Sequence, residues 1–382
     1  MFTPDDFGAF TAFAAVGAIL AGMGALRFEY AIPLALDGRD ALHVARLGLL
    51  ATLAIAVVVL VASLCFSSAI QSAIGVAPHL QLLLPLYTLG FGGAAVLGQI
   101  AIRRQQYKIT AQRKLVQSIG TVIAQLGAGV AKLGAMGLSL GYALGQVLAF
   151  MSLVGVTGIT KGSSTRRDLK AAFSRYRRFP LLLAPSGLLN AAGTHIPALL
   201  VVAFFGITVG GWFGLTQRIL AAPVGLVGTS LAQVYIGELA AIHRSGGQRA
   251  FALFQQVSRA LTVAALVLAI ALAVLAPTLF PLIFGQQWVS SGHYAQALSL
   301  GIAGQLIAAP LSQTLVVSGH LAWQAAWDSG RVVALSAAVL VPAAMGASAL
   351  TMVWCLGAVQ ACVYAVLWAL CRAAARGMGT PP

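Results

Sequence analysis

The chain has very little charge and very few acidic residues. Only 8% of its 382 residues are charged, against roughly 25% in a soluble domain, and 59% are hydrophobic. Just eight residues are Asp or Glu. This composition excludes an ordinary soluble enzyme and predicts a polytopic membrane protein, for which the lipid bilayer is the main solvent.

Metal-ligand patterns and basic nucleic-acid patches are also missing from the sequence. The four cysteines, Cys65, Cys355, Cys362 and Cys371, lie in or beside apolar runs without metal spacing or His partners. We interpret them as packing residues, and we expect no metal and no cofactor. The net charge of +15 comes from short loops between apolar runs, so nucleic-acid binding is not expected and membrane lipids are the predicted contact.

Long apolar runs make up most of the sequence, and about 20 apolar residues span a bilayer as a helix. The 42 glycines suit close packing between such helices. We count eleven runs, of which the tenth is short: 8–26, 47–70, 80–102, 116–136, 138–159, 180–205, 209–235, 260–284, 294–319, 332–345 and 350–370.

The basic residues are distributed unevenly between the two sides that these spans define. Of the 23 Lys and Arg residues, 21 fall on one side, in the segments 27–46, 103–114, 161–178, 244–259, 331 and 372–376. Lys132 falls on the other side and Arg218 lies within a span. The basic side is therefore predicted to be cytoplasmic, together with the C-terminus. Eleven spans then place the N-terminus outside, so we expect a further helix upstream.

A basic segment near the middle of the chain is predicted to connect two halves. We expect an N-terminal helical bundle at 1–165, a cytoplasmic connector at 166–179 and a C-terminal bundle at 180–382. The simplest role of the basic segment is to fix topology, and recruitment of a partner protein or of an anionic headgroup is an alternative.

The two halves are weakly similar in sequence. Arg27 is followed by Pro33 as Arg218 is followed by Pro223, and Gln99 lies 214 residues before Gln313 in a similar context. Internal repeats are typical of transporters that rock one bundle against another.

Short motifs throughout the chain resemble bacterial polysaccharide or O-antigen flippases, the Wzx-type members of the multidrug/oligosaccharidyl-lipid/polysaccharide (MOP) exporter superfamily. The motifs are T-P-D-D-F-G at 3–8, R-F-E-Y-A-I-P at 27–33, Y-R-R-F-P at 176–180, A-P-S-G-L-L-N at 184–190, L-T-Q-R-I-L-A-A-P at 215–223, F-G-Q-Q-W at 284–288 and A-P-L-S-Q at 309–313. The chain departs from the family at Gln286 and Gln287, where acidic residues are usual, and at His195, where Gln is common. The family usually has another helix before Thr3.

The resemblance implies an all-α fold of two pseudo-symmetric helical bundles around a central cavity. It implies a flippase in the bacterial inner membrane that moves undecaprenyl-diphosphate-linked oligosaccharide to the periplasmic leaflet by alternating access. A polysaccharide polymerase and glycosyltransferases are candidate partners.

Arg218 is the strongest candidate for a binding residue. It lies nine residues into its span, about 14 Å from the outer end. A charge near mid-bilayer costs ~3 kcal/mol on insertion scales, so such residues are usually functional. A guanidinium would suit a diphosphate, with Gln217 beside it for sugar hydroxyls. The alternative is an Arg that holds the bundle together through carbonyls or an acidic partner.

The remaining candidates are polar residues within spans or at their ends. Arg27 and Glu29 could serve substrate entry or proton coupling, or anchor the span at the interface. Two residues apart on an α-helix, they are not expected to face each other. Other candidate substrate contacts, each with helix packing or snorkelling as its alternative, are Gln125, Asn190, His195, Gln313 and Lys132. Candidate hinges are Pro185, Pro223 and Pro310, for which static kinks are the alternative.

Three other functions are alternatives to a flippase. A multidrug or cation antiporter of the same superfamily would need acidic residues deep within a span, and none is predicted there. A membrane glycosyltransferase, polymerase or ligase would need carboxylates or a His on a sizeable outer loop, which is also missing. A non-transporting partner in polysaccharide assembly remains an alternative.

Overall fold

The computed structural model describes residues 2–159, 164–244 and 248–378, and in this part the chain is helical without strands. The predicted all-α class is confirmed. Eleven helices of at least 19 residues form most of the described chain: α1 Pro4–Gly22, α2 Gly38–Cys65, α3 Leu84–Arg103, α4 Tyr107–Val130, α5 Gly134–Thr157, α6 Ala184–Phe205, α7 Ile207–Arg244, α8 Ala250–Phe284, α9 Val289–Leu311, α10 Leu321–Ala344 and α11 Ala349–Gly377.

Each predicted apolar run falls on one of these eleven helices. Within the described residues, eight helical stretches are long and apolar enough to cross a membrane, and they contain α1, α2, α3, α5, α6, α8, α9 and α11. The chain is a multi-pass membrane protein, as predicted from its composition.

Helices α4 and α10 begin well before the apolar runs that predicted them. The predicted run at 116–136 belongs to a helix that starts at Tyr107, and Arg113 is therefore helical. The predicted run at 332–345 belongs to a helix that starts at Leu321 and carries Asp328 and Arg331. Charged residues that were assigned to loops thus lie on helix faces, where they can contact neighbouring helices.

Side-chain caps fix where two helices begin. Thr3 accepts a hydrogen bond from the Asp6 amide, and the Asp6 carboxylate accepts one from the Thr3 amide, which completes a capping box. Asp6 also accepts a hydrogen bond of 3.0 Å from the amide of Ala135, at the start of α5. Thr165 and Asp168 form the same box at the short helix Arg166–Tyr176. Lys161, part of the predicted basic segment, lies outside the described residues.

The first helix ends earlier than predicted, at Gly22. A tight 3₁₀ segment, Gly24–Leu34, follows it, and Ala25, Leu26 and Arg27 there have φ angles of 49°, 48° and 62°. Left-handed backbone costs a non-glycine residue roughly 1–2 kcal/mol. Surrounding packing holds this turn in place, because Ala25, Phe28 and Ile32 are buried in a core with residues of α2 and α3.

The residues group into two compact units, Met1–Ala203 and Phe204–Pro382. Helix pairings recur between them in the same order. In the first unit α2 packs on α3, α3 on α5 and α4 on α5; in the second, α8 packs on α9, α9 on α11 and α10 on α11. The pseudo-symmetry expected from the weak sequence repeat is therefore visible in the packing inside each unit.

Small residues allow the helices in each unit to approach closely. A Cβ added at Gly90 would lie 2.6 Å from the Val147 backbone, and one at Gly301 would lie 2.9 Å from the Gly357 carbonyl oxygen. Backbones this close are typical of helix packing in membranes. There, van der Waals contact between closely approaching helices drives association, and small residues permit that approach.

The division between the units falls between Ala203 and Phe204, in the last turn of α6, whereas the basic segment predicts a connector at 166–179. Helix α6 belongs with the first unit because Ala191 and Gly187 pack against Gly22, and Val202 joins a core built from α1, α3 and α5. The segment Arg166–Tyr176 also attaches to the first unit, since Tyr176 Oη donates a hydrogen bond of 2.6 Å to Asp40 Oδ2 on α2.

Candidate functional site

A polar cavity of about 370 Å³ lies inside the first unit. Its wall is formed by α1, the Gly24–Leu34 segment, α3, α4 and α5. Small residues of α1 and α3 leave the space open, and the polar lining residues include Arg27, Glu29, Gln99, Arg113, Gln117 and Gln146. A cavity with two guanidinium groups and several amides can accept an anion that also carries hydroxyl groups.

Arg27 is positioned by the broken backbone after α1. Its Nη1 donates a hydrogen bond of 3.1 Å to Tyr30 Oη, and its guanidinium carbon lies 5.3 Å from the centre of the Tyr30 ring. The guanidinium packs against Gly187 of α6, where any Cβ would collide with it. The Arg27 side chain is thus held between the Tyr30 ring and the glycine backbone at Gly187.

Glu29 lies beside Arg27 and is 6% exposed. The Arg27 Nη1 and Glu29 Oε1 atoms are 3.8 Å apart. The expectation that these residues do not face each other was wrong, because it assumed an α-helix and the backbone is left-handed at Arg27. Burial raises the pKa of the Glu29 carboxyl to about 7, and this effect outweighs the backbone hydrogen bond and the Arg27 charge, which lower it.

Arg113 supplies the second cation of the cavity. Its Nη1 donates a hydrogen bond of 3.0 Å to the Ala94 carbonyl oxygen of α3, in a space left by Gly98. Sequence reasoning missed Arg113 because it was assigned to a basic loop. The available signal was a polar stripe on one helix face, since Thr110, Arg113 and Gln117 are spaced by three and four residues and all line the cavity.

Of the nine predicted binding residues, the structure brings Arg27 and Glu29 together in this cavity. Gln125 is buried, and its Nε2 donates a hydrogen bond of 2.9 Å to the Leu138 carbonyl oxygen, which joins α4 to α5. Asn190 is exposed on α6 and His195 is half-buried on the same helix. Lys132 is exposed in the turn between α4 and α5, with a φ of 55°.

The other three predicted binding residues belong to the second unit. Arg218 is exposed and Gln217 half-buried on α7, whereas neighbouring Thr216 is fully buried. Thr216 donates hydrogen bonds to carbonyl oxygens of Trp212 and Ser291, at 2.8 and 2.9 Å. Gln313 is half-buried at the start of the short helix Gln313–Val317.

The predicted hinge prolines all lie in or beside long helices. Pro185 is in the first turn of α6, directly after the π-helical turn Phe179–Leu183. Pro223 is inside α7, and Pro310 is near the end of α9. Each position is compatible with a kink or a hinge, so the hinge roles stay predictions.

The fold is that of known membrane transporters. A structure described as an inward-facing multidrug resistance MATE family transporter of the MOP superfamily matches with a TM-score of 0.77. Their sequences are 14% identical, over 98% of this chain and 92% of that one. The lipid II flippase MurJ, in an inward closed conformation, matches with a TM-score of 0.73 and 12% identity, over 99% of this chain and 84% of MurJ.

The sequence itself gives the family. The profile of a family described as "Polysaccharide biosynthesis protein" matches residues 1–293. The chain therefore belongs to this polysaccharide biosynthesis family, in agreement with the resemblance seen in its motifs. No curated protein sequence matches the chain significantly.

Proposed function

We propose that the protein is a flippase for surface polysaccharide assembly. It moves undecaprenyl-diphosphate-linked oligosaccharide from the cytoplasmic to the periplasmic leaflet of the bacterial inner membrane, by alternating access. Membership of the polysaccharide biosynthesis family and the fold shared with a lipid II flippase support this proposal. Glycosyltransferases and a polymerase that act before and after the flipping step are its proposed partners.

The observation that carries the proposal is the cavity that contains both Arg27 and Arg113. A diphosphate joined to a lipid and a sugar carries two negative charges, and a guanidinium binds such oxygens with paired, charge-assisted hydrogen bonds. Gln99, Gln117 and Gln146 provide donors and acceptors for sugar hydroxyls in the same space. The cavity therefore matches an anionic headgroup with an attached sugar.

Residues outside the cavity are proposed to assist at other stages of transport. Arg218 on α7 is a further cationic contact for the diphosphate, and other contacts are Gln217, Gln313, Asn190, His195 and Gln125. The basic residues predict that the C-terminus is cytoplasmic. On that orientation Lys132 lies at the periplasmic side, where an exposed ammonium would attract the departing diphosphate.

Reconstitution tests this function directly. Proteoliposomes would contain a fluorescent lipid-linked disaccharide and the wild-type protein, the Arg27→Ala and Arg113→Ala variants, or the Arg39→Ala control, which removes an exposed arginine. A quencher that cannot cross the membrane reports how fast the lipid moves between leaflets. We expect movement with wild type and Arg39→Ala and a loss with the two cavity variants. No movement with wild type would contradict the flippase proposal.

One observation favours cation antiport as a second candidate function. Glu29 is a buried carboxylate with a pKa of about 7, so it can bind and release protons near neutral pH, as proton-coupled cation transport requires. The same proteoliposomes, loaded with ethidium and given a pH gradient, separate the two candidates. Dye efflux without movement of the lipid-linked sugar would favour the antiporter.

A further inference from the structure

The contact between Arg27 and Glu29 is an incomplete ion pair. The Nη1 and Oε1 atoms are 3.8 Å apart, which is beyond hydrogen-bonding distance. Within the described residues, neither Glu29 Oε2 nor Arg27 Nε has a hydrogen-bond partner, although both atoms are buried. Buried polar atoms are normally paired with protein groups or ordered water, so an unpaired charged group requires an explanation.

Few charged or titratable groups surround Glu29 in the described residues. On its own segment they are Arg27 and the hydroxyl of Tyr30, and across the cavity α4 contributes Arg113. Arg103 of α3 donates hydrogen bonds to the carbonyl oxygens of Ile32 and Pro33. The lining residues from α1, α3 and α5 are apolar or carry amides. Glu29 thus depends mainly on Arg27 to balance its charge.

We propose that the Glu29 carboxylate competes with the ligand for Arg27. A diphosphate that enters the cavity displaces the carboxylate from Arg27, and the Glu29 carboxyl group then takes up a proton. This inference rests on the proposed function, because it names the event that follows headgroup binding at that site. The proton comes from solvent and binds Glu29 Oε2, so the pair Arg27⁺–Glu29⁻ becomes Arg27⁺–diphosphate²⁻ beside a neutral carboxyl.

The direction follows from charge and burial. A carboxylate at 6% exposure is disfavoured by desolvation, and the nearby arginine opposes this effect. A dianion at Arg27 both screens the arginine and repels the carboxylate, so the pKa of Glu29 rises further. Binding that takes up a proton strengthens as pH falls, by about tenfold for each pH unit in the range where Glu29 is ionised when the cavity is empty.

For transport, Glu29 allows the cavity both to bind its ligand and to release it. When Glu29 is ionised it competes with the diphosphate for Arg27 and favours release, and when Glu29 is neutral the arginine is available. Glu29 therefore sets the affinity of the cavity and makes that affinity depend on pH. It acts through Arg27 and makes no contact of its own with the ligand, which makes it a positioning residue.

Calorimetry on the purified full-length protein tests this inference. The probe is P1-geranyl-P2-(N-acetylglucosaminyl) diphosphate, whose diphosphate diester does not titrate near neutral pH. Titrations in two buffers with different ionisation enthalpies count the protons taken up on binding. We expect close to one proton near pH 8 for wild type, and an affinity about tenfold higher near pH 6.5 than near pH 8.

Two variants make the assignment specific to Glu29. Glu29→Gln keeps the shape of the side chain, and we expect it to bind without proton uptake, independently of pH, and about tenfold more tightly than wild type near pH 8. Glu238→Gln, at an exposed position on α7, is the matched control and should behave like wild type. The proton count on wild type requires no variant, so it stands even if Glu29→Gln folds poorly.

The outcomes separate the two claims. If wild type does not bind the probe at any pH, the proposed function fails and this inference fails with it. If wild type binds the probe without taking up a proton, or if Glu29→Gln keeps the pH dependence, only the role of Glu29 is overturned.

Discussion

The two units share a pattern of helix pairs but differ in how they place an arginine near a proline. In the first unit the helix stops at Gly22, and Arg27 follows in a left-handed turn before Pro33. In the second unit α7 continues without interruption over Arg218 and Pro223. The broken segment directs Arg27 into a cavity within its own unit, while the continuous helix leaves Arg218 exposed.

The polar groups of the two interiors also differ. In the described part of the second unit, Tyr235 Oη lies 2.7 Å from Thr314 Oγ1 and Gln360 Nε2 donates to Gln305 Oε1 at 3.1 Å, while Gln324 Oε1 and Arg331 Nε have no hydrogen-bond partner. Arg27 in the first unit and Arg331 in the second each lie 3.8 Å from a carboxylate, but the Glu29 side chain is 8% exposed and the Asp328 side chain is 38% exposed. Satisfied pairs stabilise packing, whereas unsatisfied charges next to a cavity are available to a ligand.

The largest effect in this comparison is expected from Arg27. Arg27→Ala should lower flipping by about 100-fold, because it removes a partly buried cation that would form paired hydrogen bonds to the diphosphate. Arg27→Lys should keep part of the activity, since it retains charge without the planar fork. Transport in proteoliposomes at equal protein content is the measurement, with Arg39→Ala as control. Wild-type rates in Arg27→Ala would remove the cavity from the mechanism.

Arg218 is expected to matter, but less than Arg27. Arg218→Ala should lower flipping by about tenfold, because Arg218 would form a charge-assisted hydrogen bond to the diphosphate but is not part of the cavity wall in the first unit. Arg218→Lys should recover part of this loss. The same transport assay, with melting temperature as a check on folding, measures both. If Arg218→Ala proves more damaging than Arg27→Ala, the order that we assign to the two units is reversed.

Gly187 tests the position of Arg27 without altering its charge. In Gly187→Ala the new methyl group would occupy the space of the guanidinium, so flipping should fall by roughly tenfold. Gly155→Ala is the matched control, because a Cβ there meets nothing within 4 Å. It should transport normally and be up to about 1 kcal/mol more stable through helix propensity. Equal transport in both variants would show that the approach of Gly187 to Arg27 is irrelevant.

The smallest effect is expected at Lys132, where the structure places a left-handed residue in a turn. Lys132→Gly should raise stability by up to ~1 kcal/mol, because glycine adopts this conformation without strain. Transport should stay within about twofold of wild type, since the exposed ammonium is well solvated. Lys132→Gln removes the charge but keeps the strain, so its melting temperature should match that of wild type. A destabilised Lys132→Gly would contradict the role assigned to the turn.

Most of the helices could be predicted, because an apolar run long enough to span the bilayer indicates a transmembrane helix. The resemblance carried by motifs such as 27–33 and 215–223 indicated the family, which the profile match confirms. The apolar run predicts a start for α4 at residue 116, whereas the helix begins at Tyr107. The residues between them include charged side chains, which are typical of loops, and the prediction misses Arg113 for this reason. The sequence places Thr110, Arg113 and Gln117 on one helix face, but only the packing of neighbouring helices shows that this face lines a cavity.

The contact between Arg27 and Glu29 could not be predicted from spacing. Residues two apart point in different directions on an α-helix, and left-handed backbone at Ala25, Leu26 and Arg27 has no local sequence signal, since none of the three is glycine. Tertiary packing imposes this conformation. The same limit applies to Gln125, whose bond to Leu138 depends on how α4 meets α5.

Photo-crosslinking tests the central claim most directly, because it reports where the headgroup binds. A lipid-linked sugar with a diazirine next to its diphosphate would be added to the wild-type protein in proteoliposomes, and labelled peptides would be identified by mass spectrometry. We predict labels in the Gly24–Leu34 segment and in the first half of α4, and their loss in Arg27→Ala. Labels confined to residues 204–378, unchanged in Arg27→Ala, would contradict the assignment of the headgroup site to the first unit.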